Sequence, residues 1–452
     1  MNLKLLLLGA SLLFPVAFAV GGAQPPPSTS TDLAASLRSV ARSVSDDLRT
    51  LEPIVQLAKD ARLVLIGEGT HGTHEFYRTR AELTKRLVQE YGFDAVVIEG
   101  DWPDAQRVNR FVRLEGADTT PEQALSNFTR FPRWLWRNTV VRDFVGWLRA
   151  TNVTRASSDR TSFYGMDLYS LPASRLEVLR LLGTLDTASA ERARARYACL
   201  ALIGTPLQDD PGTPETSNGA SCTRNAADVF ADVLRLTAQR RARLDASREA
   251  LFDLEQNARI VKNAVAYERA ALDVFGASSS WNVRDSHMFE TLEAIRAHLG
   301  ATSKIVVWAH NSHLGDARAT EMGRSGEHNV GQLVRQRYGA GALLVGFTTH
   351  TGTVTAAEEW DGPPRTMQIR PSLESSYERL FHDTGLARFM LESKRAPLAL
   401  RQERLERAIG VQYLPATERL SHYFSVNLPA QFDVVVHFDV TRALEPLDSA
   451  GR

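Results

Sequence analysis

Leu63-Val64-Leu65-Ile66-Gly67-Glu68-Gly69-Thr70-His71-Gly72-Thr73-His74-Glu75 decides how the rest of the chain is read. Four apolar residues run without a polar interruption, as in a strand covered on both faces. They stop at a Gly-rich segment that carries an acid and two imidazoles. A helical pattern follows at once. Thr73 can cap a helix running roughly from His74 to Gln89, with Gly92 beyond its end.

The same punctuation recurs along the chain. Ala95–Ile98, Ile305–Trp308, Leu343–Phe347 and Phe432–Val436 are short apolar runs, most of them β-branched, and Phe163–Met166 is a weaker example. Helical patterns lie between them. The reading is an α/β fold: a largely parallel central sheet with flanking helices. Residues 175–300 depart from the alternation, with helical patterns over 188–202, 226–237 and 251–274 and no strand. They are read as a helical insertion forming a lid or cleft wall, within one domain spanning 33–452. Beyond Ser372 the pattern is mixed.

Polar residues gather after the strands. Glu68, His71 and His74 follow the first, Glu99 and Asp101 the second, Asp167 the Phe163 run, and His310 and His313 the Ile305 run. In open α/β sheets ligands bind outside the carboxyl ends of the strands. A loop acid taken singly is most simply a solvated one, but four strand ends carrying acids and imidazoles predict one catalytic or metal site. Two arginines join it from helices. Arg80 shares an apolar face with Phe76, Leu83 and Leu87, while Arg284 heads one with Met288, Leu292, Ile295 and Leu299, in a helix that Asn282 can cap. A buried arginine needs a carboxylate or an anionic ligand. Salt bridges to Glu68, Glu99 or Asp285 and direct substrate contact are both open for this pair.

Composition narrows the function classes. The 452 residues carry 53 Lys+Arg against 53 Asp+Glu, without the basic excess of a nucleic-acid binder. No Gly-x-Ser-x-Gly or Walker motif is present, nor is His-Glu-x-x-His. His71/His74 and His310/His313 are His-x-x-His pairs that, with a glutamate, make a metal site the alternative.

Residues 1–19 have the anatomy of a secretory signal peptide: Lys4, a largely apolar run from Leu5 to Ala17, and Ala17-Phe18-Ala19 as a cleavage site. Cleavage after Ala19 leaves 52 basic and 53 acidic residues, a flexible leader over 20–32, and a periplasmic or secreted protein without stable membrane insertion. The two cysteines, Cys199 and Cys222, flank a loop-like stretch over 205–214. An oxidising compartment would let them pair across it, stabilising by roughly 3 kcal/mol in the chain-entropy model.

At these positions the chain resembles the erythromycin esterase family. The carriers are Gly67-Glu68-Gly69-Thr70-His71, Glu75-Phe76, Arg80 and Val97-Ile98-Glu99, then Trp281-Asn282-Val283-Arg284-Asp285 and Val307-Trp308-Ala309-His310-Asn311-Ser312-His313. The resemblance covers roughly residues 50–350. It implies hydrolysis of an ester or macrolactone by activated water, without a covalent acyl-enzyme, and hence macrolide inactivation as an expected outcome. It maps the general base to His71, companion glutamates to Glu68 and Glu99, later histidines to His310 and His313, and the arginines to Arg80 and Arg284. His74 and Asp101 are added as substrate contacts.

The expected enzyme is a carboxylic ester hydrolase acting on a small-molecule ester or lactone, with no nucleic-acid partner and no cofactor required. Two alternatives stand beside it. One is a divalent-metal hydrolase or peptidase using His71, His74, His310 and His313 with Glu68 or Glu99; the other is a periplasmic ligand-binding protein.

Overall fold

The structure is a computed structural model that describes residues 30–202, 215–272 and 277–448. The expected signal peptide, most of the leader and the 205–214 loop lie outside the described residues. The strands are β1 (Arg42–Ser43), β2 (Leu63–Ile66), β3 (Ala95–Asp101), β4 (Ser162–Asp167), β5 (Ile305–Trp308), β6 (Ala342–Ala356), β7 (Arg365–Ile369), β8 (Arg388–Glu392), β9 (Arg404–Arg407), β10 (Tyr423–Val426) and β11 (Val434–Thr441). Nine form one sheet in the order β1-β8-β11-β6-β2-β5-β3-β4, with β7 paired to β6. The six strands from β11 to β4 are mutually parallel, while β8 runs antiparallel to β11, β1 antiparallel to β8, and β7 antiparallel to β6. β9 and β10 make a separate hairpin-like pair.

The continuous apolar runs have a simple cause. Val64 and Ile66 of β2, Val96 and Ile98 of β3, and Val306 and Trp308 of β5 enter one core. Their alternate neighbours Leu63, Leu65, Ala95, Val97, Ile305 and Val307 enter the core on the opposite face. Each strand is buried on both sides, so no position is left for a polar residue.

Helix ends differ in places from the sequence reading. The first helix after β2 spans His74–Tyr91 with Thr73 as N-cap, but Thr73 makes no side-chain capping bond to it. The helix carrying Arg284 begins at Ala277, so Asn282 is inside it and does not cap it. The Asn282 amide instead donates to Gly326 O at 3.0 Å and accepts from His328 N at 2.9 Å. β6 extends well past the Leu343–Phe347 run to Ala356, and β11 starts at Val434, after Phe432.

Between β4 and β5 lie the helices Leu171–Leu185, Thr187–Arg196, Glu215–Arg243, Arg248–Ala271 and Ala277–Leu299. Val178, Leu182, Val229 and Val233 form a satellite core there with Leu254 and Val261. The helix Arg248–Ala271 serves two cores, because its Phe252 and Ile260 turn to the sheet. Cys199 and Cys222 are paired, with Cα atoms 5.7 Å apart.

Candidate active site

Chain order reverses around β5, which enters between β2 and β3 after both have formed. Ile66, Ile98 and Trp308 lie in register across the three strands, so the residues just beyond them meet at one edge. Two backbone bonds fix that meeting. Asn311 N donates to Glu68 O at 2.8 Å, and His310 N donates to Glu99 Oε2 at 2.9 Å. Gly67 is required by this closeness, since a Cβ there would lie 2.3 Å from Asn311 Oδ1.

Glu68 Oε1 accepts from His71 Nδ1 at 2.8 Å. That bond places the ring proton on Nδ1 and leaves Nε2 as a lone pair, without a protein partner among the described residues, on a ring that lines a cavity at this sheet edge. Behind the carboxylate, Glu68 Oε2 lies 3.3 Å from Arg80 Nη2. Arg80 is 0% exposed and packed against the rings of Tyr77 (4.3 Å) and Trp308 (5.0 Å). The guanidinium is the charge partner, 3.3 Å away, of the buried carboxylate that orients His71.

Arg284 is the second centre. It donates to Glu99 Oε1 at 2.7 Å and to Asp167 through Nε at 3.0 Å and Nη2 at 2.8 Å. Its Nη1 lies 3.0 Å from His313 Nε2, and His313 Nδ1 is 2.9 Å from Asp285. Nδ1 therefore donates to Asp285, and Nε2 lies between Arg284 and, at 3.4 Å, Glu99 Oε1. The His313 ring stacks on Trp281 at 4.5 Å. Burial alone would raise Glu99, yet His313, Arg284 and His71 hold it well below the usual carboxylate range. Asp167 is lowered against its burial by Arg284. Burial opposes a proton on His313, but Asp285 and Glu99 win and raise it.

His310 behaves differently. Its Nδ1 accepts from Ser312 N at 3.2 Å and faces Ser312 Oγ at 2.9 Å, so Nε2 carries the proton. That Nε2 is buried without a hydrogen-bond partner among the described residues. Burial, helped by the neighbouring His71, keeps the ring neutral by pushing its pKa well below the usual value. The His71 and His310 rings are 4.9 Å apart.

These groups line a cavity of about 330 Å³ that also presents Asp101, Asp104, Asp167, Phe131, Tyr169 and Trp360. A carboxylate-oriented imidazole beside a neutral N–H donor in a walled cavity is equipped for water activation.

The erythromycin esterase family profile matches residues 88–441. This chain belongs to the erythromycin esterase family. Membership makes it a hydrolase. It is 22% identical over 327 residues to an erythromycin esterase type II of Escherichia coli, covering 69% of this chain and 74% of that one. A putative hydrolase, YbfO, of Bacillus subtilis (strain 168) is 22% identical over 293 residues, 59% of each chain. Among solved structures, a Bacillus cereus protein superposes with TM-score 0.76 at 20% identity over 93% of this chain and 100% of that one. A histidine-to-asparagine variant of the erythromycin esterase EreC, in its open conformation, gives 0.63 at 19% identity over 89% and 98%. At such identities the structural likeness shows the shared fold.

The residues expected in this family site separate into three groups. Glu68, His71, Glu99, Arg284, His310 and His313 come together, and Asp101 reaches the cavity from the end of β3. Arg80 is not a cavity contact; the apolar helix face that predicted burial pairs it with Glu68 instead. His74 is also a correction. It starts the helix on the side away from the cavity, and its Nε2 lies 2.7 Å from Arg442 Nη2.

The four imidazoles named as a metal set do not converge. His74 is turned to Arg442, and both nitrogens of His313 are engaged. Among the described residues no group of three or more His, Cys, Asp or Glu is placed to hold a metal ion.

Among the described residues of the helical insertion, Trp281 and Arg284 on Ala277–Leu299 are those that wall the cavity. The remaining walls come from Phe128–Trp136, Trp360 and Ala408–Val411, which sequence reasoning missed. Asp104, in the first turn of the helix Trp102–Val112, also lines the cavity and was not singled out by the sequence pattern.

Proposed function

We propose that the protein is a carboxylic ester hydrolase that opens an ester or lactone with water activated by His71. The observation that carries this reading is the Glu68–His71 bond, backed by Arg80, on a ring whose free nitrogen serves the cavity. Water gives a proton to His71 Nε2 as its oxygen bonds to the carbonyl carbon, and the π electrons move onto the carbonyl oxygen. Glu68 stabilises the resulting imidazolium. The oxyanion is met by His310 Nε2–H, the buried donor that lacks a partner. Collapse re-forms the carbonyl, breaks the ester C–O bond and returns the proton from His71 to the leaving oxygen. A lactone gains one water and becomes a hydroxy acid.

A macrolide is the candidate substrate suggested by the relatives, and its opening would inactivate the antibiotic. The cavity is at the lower end of the size range for small-molecule pockets. A macrolide-sized ring would hold its ester inside and rest its periphery across Phe131 and Trp360.

Mass spectrometry of a macrolide and simple-ester panel tests the proposal, with wild type beside His71→Ala. Gain of one water with wild type alone, unchanged by chelator, supports it. Equal turnover by His71→Ala removes the base assignment, and no turnover of any ester overturns the esterase reading.

A further inference from the structure

We infer that Asn311 is a positioning residue for hydrolysis, held in its working orientation by Glu406, and that the pair sets the separation between the base His71 and the oxyanion donor His310. The inference rests on the esterase reading above, and half of its test needs no turnover.

A break in the sheet ladder is the first observation. β2 and β6 pair from Leu63–Ala342 to Ile66–Val345, and Gly67 N closes that ladder by donating to Val345 O at 2.8 Å. β2 then turns away into the Glu68 loop, while β6 continues to Ala356. Residues two apart on a strand turn their peptide groups to the same neighbour, so Phe347 offers its N–H and C=O to the place β2 has left. The Asn311 side chain takes that place. Its Nδ2 donates to Phe347 O at 2.8 Å, and its Oδ1 accepts from Phe347 N at 3.3 Å. A side-chain amide carries the donor and acceptor of a peptide group, so Asn311 serves β6 as the next residue of β2 would have done.

The position of this amide in the chain is the second. Asn311 N donates to Glu68 O at 2.8 Å, and Asn311 directly follows His310, the N-cap of the short helix Asn311–Leu314. One residue is thus bonded to the loop that carries the base and joined covalently to the oxyanion donor. The two imidazole rings are 4.9 Å apart and must address the same carbonyl. A misplacement of about 1 Å at such a site can cost about 10²-fold in rate. Asn311 is 1% exposed and is not among the cavity-lining residues, so it acts through the groups it holds.

Glu406 supplies the third. Half a turn of the Asn311 amide would set oxygen against Phe347 O and nitrogen against Phe347 N. Glu406 Oε1, on β9, opposes that turn by accepting from Nδ2 at 3.1 Å. Glu406 is 0% exposed, and burial pushes it up to about 8. At pH 7 it is a neutral acceptor, which glutamine can imitate and leucine cannot.

Glu406→Gln and Glu406→Leu are therefore a charge-matched pair that differs in the bond to Asn311. At pH 7, Glu406→Gln should keep kcat within about twofold of wild type, while Glu406→Leu loses about tenfold and Asn311→Ala about 10²-fold, all with KM within about twofold. In protein labelled with heavy nitrogen at histidine, long-range proton–nitrogen spectra should show the His71 and His310 ring signals displaced in Glu406→Leu and in place in Glu406→Gln. His298, bonded to Glu249 under the helical insertion, is the unmoved reference. Should Glu406→Leu fail to fold, Asn311→Ala carries the same readouts. Equal kcat in the two Glu406 variants overturns the inference, as does a loss expressed in KM, or a loss of kcat with both ring signals in place. If wild type hydrolyses no ester, the esterase reading falls by itself. The ring signals then still decide the positioning: displaced in Glu406→Leu alone they uphold it, and unmoved they overturn it.

Discussion

Glu68 is held between an imidazole it must orient and a guanidinium sealed from solvent. The two partners make separable demands. Glu68→Gln keeps the shape but removes the charge that fixes the His71 tautomer, so kcat on any accepted ester should drop by about 10²–10⁴-fold. Arg80→Met leaves a buried carboxylate unpaired, and urea unfolding should register a loss of about 3–5 kcal/mol. The double variant should recover part of that stability and none of the activity. Recovery of activity would mean Glu68 serves packing alone.

Glu406 offers a second residue-scale test. It is 0% exposed and bonded through Oε1 to Asn311 Nδ2, behind the His310 loop. Burial, then the nearby Glu378 charge, pushes it up to about 8. Between pH 4.5 and about 8 the folded chain keeps a proton that the unfolded chain has lost, so this group makes stability fall as pH rises through that window. Glu406→Gln should gain in Tm relative to wild type between pH 5 and pH 8. A constant difference across that range would show that the carboxyl is not held protonated.

At the scale of elements, the disulfide defines a local test. Cys199 and Cys222 are 23 residues apart, and Cys222 is buried in the satellite core of the helical insertion. The chain-entropy model assigns such a closure roughly 3 kcal/mol. Cys199→Ser/Cys222→Ser should lower Tm and speed proteolysis within Thr187–Arg243, while ester hydrolysis at the distant sheet edge persists. Loss of hydrolysis at temperatures where the variant is folded would tie this bundle to the cavity.

Legibility also varied by element. Strands buried on both faces announced themselves as apolar runs, and the acids and imidazoles after them were readable because strand ends converge by topology. β4 was faint because Gly165 interrupts it. A Cβ there would lie 2.3 Å from Gly100 O, where β3 shifts register between Ile98 and Asp101. The tail beyond Ser372, apart from the Phe432–Val436 run that became β11, was less legible for a different reason. It works through backbone bonds, which leave no side-chain pattern: Ile409 N donates to Gly69 O at 3.0 Å and His71 N to Ile409 O at 3.1 Å. Leu444 N then reaches Gly72 O at 2.8 Å. The segment least readable in the sequence thus pins the loop that carries the base.

For the whole molecule, the cavity depends on pieces far apart in the chain: strand-end loops, Phe128–Trp136, Trp281, Trp360 and Ala408–Val411. Helical and strand periodicities record burial against a neighbour, not which segments close a common space, so the floor was legible and the walls were not. The same whole-chain view bears on where the protein works. A paired Cys199–Cys222 is at home in an oxidising compartment, and residues 1–19 read as an export signal. Export and oxidation should then occur together. Expressed from its native first codon in a Gram-negative host, the protein should be recovered from the periplasm with its chain starting at Val20. Intact mass with and without reductant should differ by two hydrogens, and no free thiol should react before reduction. An intact Met1 terminus, with both cysteines alkylated in a cytoplasmic fraction, would place the enzyme inside the cell and leave its substrate to be sought there.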